Sequence, residues 1–310
     1  KKFNFFDKNK YKEEEIVAVK EDPEVKVKND AYVPNHFTHL HVHSHFSILD
    51  GMSKVPDLID KCTRSGMYSM ALTDHGNMFG IKEFADAANK YNGKIKDKIK
   101  EQEKILNNEE TTDSQKDDAS VEIDILKKKM FKPIFGMEAY CAPVSIDKRD
   151  GRADRGYHLI ILAKNKQGYK NLCKLSSIAY IDGYYYNPRI DHSLLEKYHE
   201  GLIICSACLG GELPQKIMNG DIEGAEKSLL WFKNLFGEDY YIEIQRHKTD
   251  KPNADQEVFE RQQEVNKVLV ELARKTNTKI VATNDVHFVE EEHSEAHDRL
   301  ICLSTGKDFD

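Results

Sequence analysis

From Phe37 onward, short apolar runs alternate with amphipathic stretches. The runs Phe37–Ser44, Ser69–Asp74, Lys132–Ala142, His158–Ala163, Gly201–Cys208, Tyr240–Gln245 and Lys279–Asn284 predict strands. Helical periodicity predicts helices at Val55–Arg64, Ile81–Tyr91, Gln167–Tyr180, Ile222–Leu235 and Gln256–Lys275. Strand–helix alternation argues for parallel strands joined by helical crossovers. About seven strands in one series favour an α/β barrel over an open doubly wound sheet.

Two segments depart from this rhythm. Residues 1–36 are charged and lack an apolar period, which predicts an extended or partly disordered arm. Residues 92–131 form a charged insertion into the domain that otherwise spans 37–310. Its flanks could be helical, and "NNEETTDSQKDD" is expected to be a solvated, disordered loop.

The polar residues inside the apolar runs carry the chemistry. "HLHVHSHFSILD" places His39, His41, His43 and His45 at alternate positions, hence on one face of a regular strand, with Leu40 and Val42 on the other. Neutral imidazoles so arranged are natural metal ligands, although spacing does not say which bind. "ALTDHGN" sets Asp74 and His75 where a strand meets a loop, and an N-cap role for Asp74 is an equal reading. "VATNDVHF" repeats the pattern with Asp285 and His287. Imidazoles and carboxylates converging from different strands are how hydrolytic metal sites are built.

Glu138 lies in the apolar run "PIFGMEAY" and needs a partner there. His158 opens "YHLIILA", at the amino end of its strand, where a parallel barrel would not put a ligand. Cys205 and Cys208 are three apart, so at most one faces a shared site from a regular strand. Glu243 and His247 end another strand and either line the mouth or lie on the surface. The Tyr184–Tyr186 cluster either stacks on bases or packs a loop. "CLGGE" either cradles phosphate or makes a tight turn.

Composition narrows the class. Net charge is −7, against a general electrostatic grip on DNA. Six scattered cysteines in 310 residues make no disulfide framework and fit reduced thiols in the cytoplasm. No apolar run reaches the ~20 residues of a membrane helix, and no secretory signal is visible.

Taken in order, "HLHVHSHFSILDG", "ALTDHGNMFG", "KPIFGMEAY", "YHLIILAKNKQGYKNL", "PRID", "EGLIICSACLGGE" and "VATNDVHF" closely resemble the PHP (polymerase and histidinol phosphatase) domains at the N-terminus of bacterial DNA polymerase III alpha subunits. The resemblance runs from about Phe37 to Asp310, apart from the insertion. It implies a distorted, TIM-like (β/α)7 barrel with up to three divalent metals at the carboxyl ends of its strands. Zinc is the first expectation, with manganese, iron or magnesium as alternatives. The implied ligands are His41, His43, Asp50, His75, Glu138, His158, Cys208, Asp285 and His287. Asp74 is expected to orient an imidazole or water, and Arg189 and His247 to face substrate, with a surface salt bridge the plainer role for Arg189. The implied function is that of a replicative polymerase domain with a metal-dependent phosphoesterase site, acting as a 3′–5′ proofreading exonuclease. The implied partners are the 3′ end of DNA, reached through the rest of the polymerase, and other polymerase subunits including a proofreading exonuclease. The alternatives are a catalytically silent, metal-stabilised platform and a free-standing histidinol-phosphatase-like enzyme. The chain looks like an excised domain.

Overall fold

In a computed structural model, residues 37–249 and 256–308 are described; the expected arm at 1–36 lies outside them. Seven strands are β1 (Ser69–Leu72), β2 (Lys132–Cys141), β3 (Tyr157–Ala163), β4 (Arg189–Ile190), β5 (Leu202–Cys205), β6 (Tyr240–Ile244) and β7 (Lys279–Ala282). They form one curled sheet in the order β1-β2-β3-β5-β6-β7, with β4 beside β2. The helices are α1 (Val55–Arg64), α2 (Ile81–Leu106), α3 (Asp113–Lys128), α4 (Lys166–Ile181), α5 (His192–Tyr198), α6 (Glu212–Met218), α7 (Ile222–Phe236), α8 (Glu257–Thr276) and α9 (Ser294–Thr305).

Alternation along the strands builds two apolar layers. Leu159 and Ile161 of β3, Met137 and Ala139 of β2, and Ile242 of β6 face outward and join the large core beneath α4 to α8. Ile160 and Leu162 face inward with Ala71, Cys205 and Ala207. Glu138 shares the inner parity of its strand, so β2 turns a carboxylate into the barrel among apolar neighbours.

The sheet is mixed, which corrects the expectation of parallel pairing throughout. Strand β3 runs antiparallel to both β2 and β5, while the other ladder pairs are parallel. Reversal brings the amino end of β3 to the rim where its neighbours end. This accounts for His158, which is opposite Tyr140 in register.

The first predicted strand is not a regular one. Residues 39–43 make single bridges at both edges of the sheet, His39 to Met70 of β1 and Val42 to Val286 just beyond β7. Hydrogen bonds from Ala71 N to His39 O (2.7 Å) and from His43 N to Val286 O (2.7 Å) close the ring. A bend at His41 shifts the alternation. His41 and His43 are fully buried, His45 is exposed, and His39 lines an outer crevice with Cys62, Met67 and Met70. The four histidines therefore do not share a face.

The 92–131 insertion is a helical hairpin of α2 and α3, stapled by Ile95, Ile99, Ile123 and Leu126. The side chain of Asn92 holds both backbone polar groups of Phe131 (2.7 and 2.8 Å). A reciprocal cap between Thr112 and Gln115 starts α3, so the expected disordered loop shrinks to the short turn between the helices. All six cysteines are unpaired. No described helix is long and apolar enough to cross a membrane.

Candidate metal centre

The barrel mouth gathers donors from every side. Three groups of potential ligands lie close together: His43, His75 and His287; His41, His43 and Glu138; and Glu138, His158 and Cys208. His43 links the first two groups and Glu138 the last two. Asp285 Oδ1 stands 3.0 Å from His41 Nε2 and 3.2 Å from His43 Nε2. Asp50 Oδ2 stands 2.7 Å from His75 Nε2 and 3.4 Å from His287 Nε2. Glu138 is the hub: Oε1 is 2.9 Å from His158 Nδ1 and 3.9 Å from Cys208 Sγ, and Oε2 is 2.5 Å from His75 Nδ1.

Local backbone explains two aims that strand parity alone misses. Ala207 has φ +63°, which breaks the line of β5 and turns Cys208 to the mouth while Cys205 stays in the inner core. Asp285, at φ +50°, likewise leaves the extended region after β7. The glycines of "CLGGE" permit close backbone approach. A Cβ on Gly210 would stand 3.0 Å from the His158 ring, and one on Gly211 would stand 2.1 Å from Ser206 O.

Outer hydrogen bonds fix the rings. His41 Nδ1 donates to Glu243 Oε1 (2.7 Å), which also accepts from Gln245 (3.0 Å) and Thr283. His43 Nδ1 donates to Ser47 Oγ (2.9 Å), whose hydroxyl donates to Asp74 Oδ1 (2.7 Å). His287 Nδ1 donates to Asp285 O (2.8 Å). In each ring the other nitrogen faces the cavity, where a bound cation would take its lone pair, the usual way an outer partner sets a ligating tautomer.

The electrostatics suit cations. Histidines around Glu138 and Asp285 outweigh the burial that opposes ionisation and hold both carboxyls well below their usual range. Burial, with charged His75 beside it, pushes His43 down to about 3, so it is a neutral imidazole. For His75, burial is overridden by Glu138 and Asp50, which push it up to about 10. Burial, reinforced by Glu138 and Asp285, raises the Cys208 thiol well above 9.

The same donors pass a test of fit for metal. Glu138 Oε2, His75 Nδ1 and Asp285 Oδ1 are buried without a hydrogen-bond partner. Glu138 Oε2 faces His75 Nδ1 at 2.5 Å, and Asp285 Oδ1 faces the Nε2 atoms of His41 and His43 at 3.0 and 3.2 Å, in orientations that no hydrogen bond satisfies. Buried polar atoms so placed call for a cation, and imidazole, carboxylate and thiol together make a divalent-metal set.

Other expected site residues are placed differently. Asp74 is buried and accepts from Ser44 N (2.7 Å), Ser44 Oγ and Ser47 Oγ. It therefore steadies His43 through Ser47 rather than orienting the ring of His75. Arg189 does not face substrate. It is fully buried and donates to the carbonyls of Gly183, Lys148, Asp154 and Ile146 at 2.6–3.0 Å. His247 stands outside the cluster, its Nε2 on Asn284 O (2.8 Å) and its Nδ1 on Gln262 (3.1 Å). One residue left open between mouth and surface joins the site, and another joins it unannounced. Glu243 is the partner of His41, and its place in an apolar strand is the signal that singled out Glu138. His297 of α9 lies 3.8 Å from Asp50 Oδ1 and 5.6 Å between ring centroids from His287, its Nε2 buried and without a hydrogen-bond partner. Nothing in its exposed helix marks it.

Comparison with known proteins shows which family the chain belongs to. The chain is 41% identical over 272 residues to the DNA polymerase III subunit alpha of Borreliella burgdorferi, covering 87% of the chain and 20% of that protein. The corresponding subunit of Treponema pallidum is 39% identical over 274 residues, covering 87% and 19%. The chain thus spans about a fifth of the length of these relatives. An amidohydrolase structure from Chromobacterium violaceum aligns with 12% identity, a TM-score of 0.43 and coverage of 85% and 96%. The PHP domain profile matches residues 39–247. With that match over more than half its length, and a curled barrel with metal-competent groups at its strand ends, the chain belongs to the PHP domain family.

Proposed function

We propose that this chain is the PHP module of a bacterial replicative DNA polymerase and that its centre is a divalent-metal phosphoesterase that removes nucleotides from 3′ ends. The observation that carries this reading is the sharing of His43 and Glu138 between adjacent ligand groups, which makes room for up to three neighbouring ions. Zinc fits the mixed nitrogen, oxygen and sulfur donors. His41, His43, Asp50, His75, Glu138, His158, Cys208, Asp285 and His287 would hold the ions. When bound, such ions supply Lewis acidity at a phosphoryl oxygen and activate water near neutral pH.

The chain's own residues do the rest. Glu243 and the Ser47–Asp74 pair hold His41 and His43 from behind, so little reorganisation is needed when ligand arrives. Tyr140 lies 6.3 Å from His75 and edge-on to His158 at 5.3 Å, forming an apolar wall. Ions in excess of the charge on three carboxylates and one thiolate leave the pocket attractive to phosphate, despite the acidic chain. The module would act in the cytoplasm alongside further polymerase subunits, including a separate proofreading exonuclease.

The test pairs metal analysis with cleavage of a 3′-labelled single strand, using Asp285→Ala with His287→Ala as control. Two or three ions per chain, with cleavage lost in the control, support the phosphoesterase. Metals without cleavage would replace it with a stabilised platform for another subunit. A folded, metal-free protein would sink both.

A further inference from the structure

An aromatic surface beside the mouth is not used by the metal centre. Phe79, in the loop leaving His75, is 57% exposed; Tyr180, near the end of α4, is 38% exposed; Tyr184, in the following loop, is 54% exposed. Their rings form a series, with centroids 5.7 Å apart from Phe79 to Tyr180 and 6.5 Å from Tyr180 to Tyr184. Tyr186 is also exposed and carries the guanidinium of Arg155 4.8 Å over its ring.

The series is continuous with the centre. Strand β4, which follows the tyrosine loop, pairs with β2 at Tyr140, two residues beyond Glu138. Pro188 packs so tightly on Gly76, next to His75, that a Cβ there would lie 2.6 Å from its Cγ.

The loops are also held rigid. Buried Arg189 spends its donors on carbonyls of both the 142–156 loop and the 182–188 loop. Gly151 N donates to Tyr185 Oη (3.1 Å), Arg149 to Asp182 O (3.2 Å) and Asn187 to Arg155 O (3.2 Å). Pre-ordered rings bind flat partners at little entropic cost. Exposed rings beside arginines suit the faces of unpaired bases, which a duplex hides. Lys148, Arg149 and Arg155 are exposed for phosphates, tempered by exposed Asp147 and Asp150. Stacking must therefore carry more of the affinity than charge.

We propose that Phe79, Tyr180 and Tyr184 form a stacking ladder for single-stranded nucleic acid and lead its end to the metal centre. The delivery rests on the phosphoesterase reading, whereas the binding does not.

The test is fluorescence anisotropy with a labelled oligothymidine of about ten nucleotides, its linkages phosphorothioate so that turnover does not intrude. Phe79→Ala, Tyr180→Ala and Tyr184→Ala should each weaken binding about five- to hundredfold. Tyr184→Trp should restore it, and Val121→Ala on the distant hairpin should leave it unchanged. A triple alanine variant that binds within twofold of the parent, or a parent that binds duplex as tightly as single strand, overturns the ladder. Hydrolysis of bis(p-nitrophenyl) phosphate separates the two claims, because so small a substrate does not need the ladder. Hydrolysis with ring-independent binding sinks the ladder alone; ring-dependent binding without any hydrolysis supports the ladder and sinks the phosphoesterase.

Discussion

Glu212 offers a quantitative test of how the barrel's outer helices are held. Its carboxylate is 7% exposed at the start of α6. It accepts from Lys216 Nζ (2.7 Å), Ser228 Oγ (2.5 Å) and His192 Nε2 (3.1 Å), tying α5, α6 and α7 together. Burial opposes its ionisation, but His192, Lys216 and Ser228 outweigh it and bring the carboxyl from 4.5 down to about 2. Below pH 4.5 the unfolded chain takes up a proton that the folded chain refuses. The stabilisation is thus complete above 4.5 and lost as pH falls toward 2. That interval is worth about 3 kcal/mol. Urea unfolding of the parent and of Glu212→Gln, from pH 7 to pH 3, reads it directly. The variant should be about 3 kcal/mol less stable at pH 7, and the gap should shrink by more than about 1 kcal/mol by pH 3. Comparison at each pH cancels the acid response of the metal centre, which both proteins share. A gap that stays constant with pH would refute the reasoning.

Other expectations concern the centre. Loading metal at pH 7 should release at least two protons, because His75 near 10 and the Cys208 thiol above 9 both hold protons without metal; calorimetry in buffers of different ionisation heat counts them, and no release would contradict the assignment. Glu138→Gln keeps the shape but loses the shared charge, so elemental analysis should find at most one ion where the proposed centre would hold two or three. His297→Ala should weaken metal retention against a chelator about 10- to 100-fold, the usual cost of losing an outer partner, with His297→Gln intermediate; unchanged retention would make His297 a bystander.

Much of the barrel was legible because apolar alternation marks strands regardless of their direction. Direction itself was not legible: "YHLIILA" reads the same whether β3 runs with or against its neighbours, so His158 looked misplaced until the reversal was seen. Parity also fails wherever one residue leaves the extended region. The bend at His41 separates His39 from His43, and left-handed Ala207 decides between two cysteines. Arg189 was misread because its partners are carbonyls of loops up to 43 residues away, which no side-chain pattern announces. His297 was missed because it reaches the centre from a helix with no buried face.

Ring closure through residues 39–43 has a consequence for how the domain is made. Val42 bridges Val286, and His43 N donates to Val286 O, across more than 240 residues of chain. On a ribosome, the first histidines emerge long before the segment that seals them. At about 5–20 residues per second, that wait lasts roughly 10–50 seconds. Through it, the 39–43 segment lacks its final neighbour, and Asp285 and His287 are still unsynthesised. The centre therefore assembles only once the last segment of the barrel has been made, and metal capture becomes a marker of a finished barrel rather than a seed for folding.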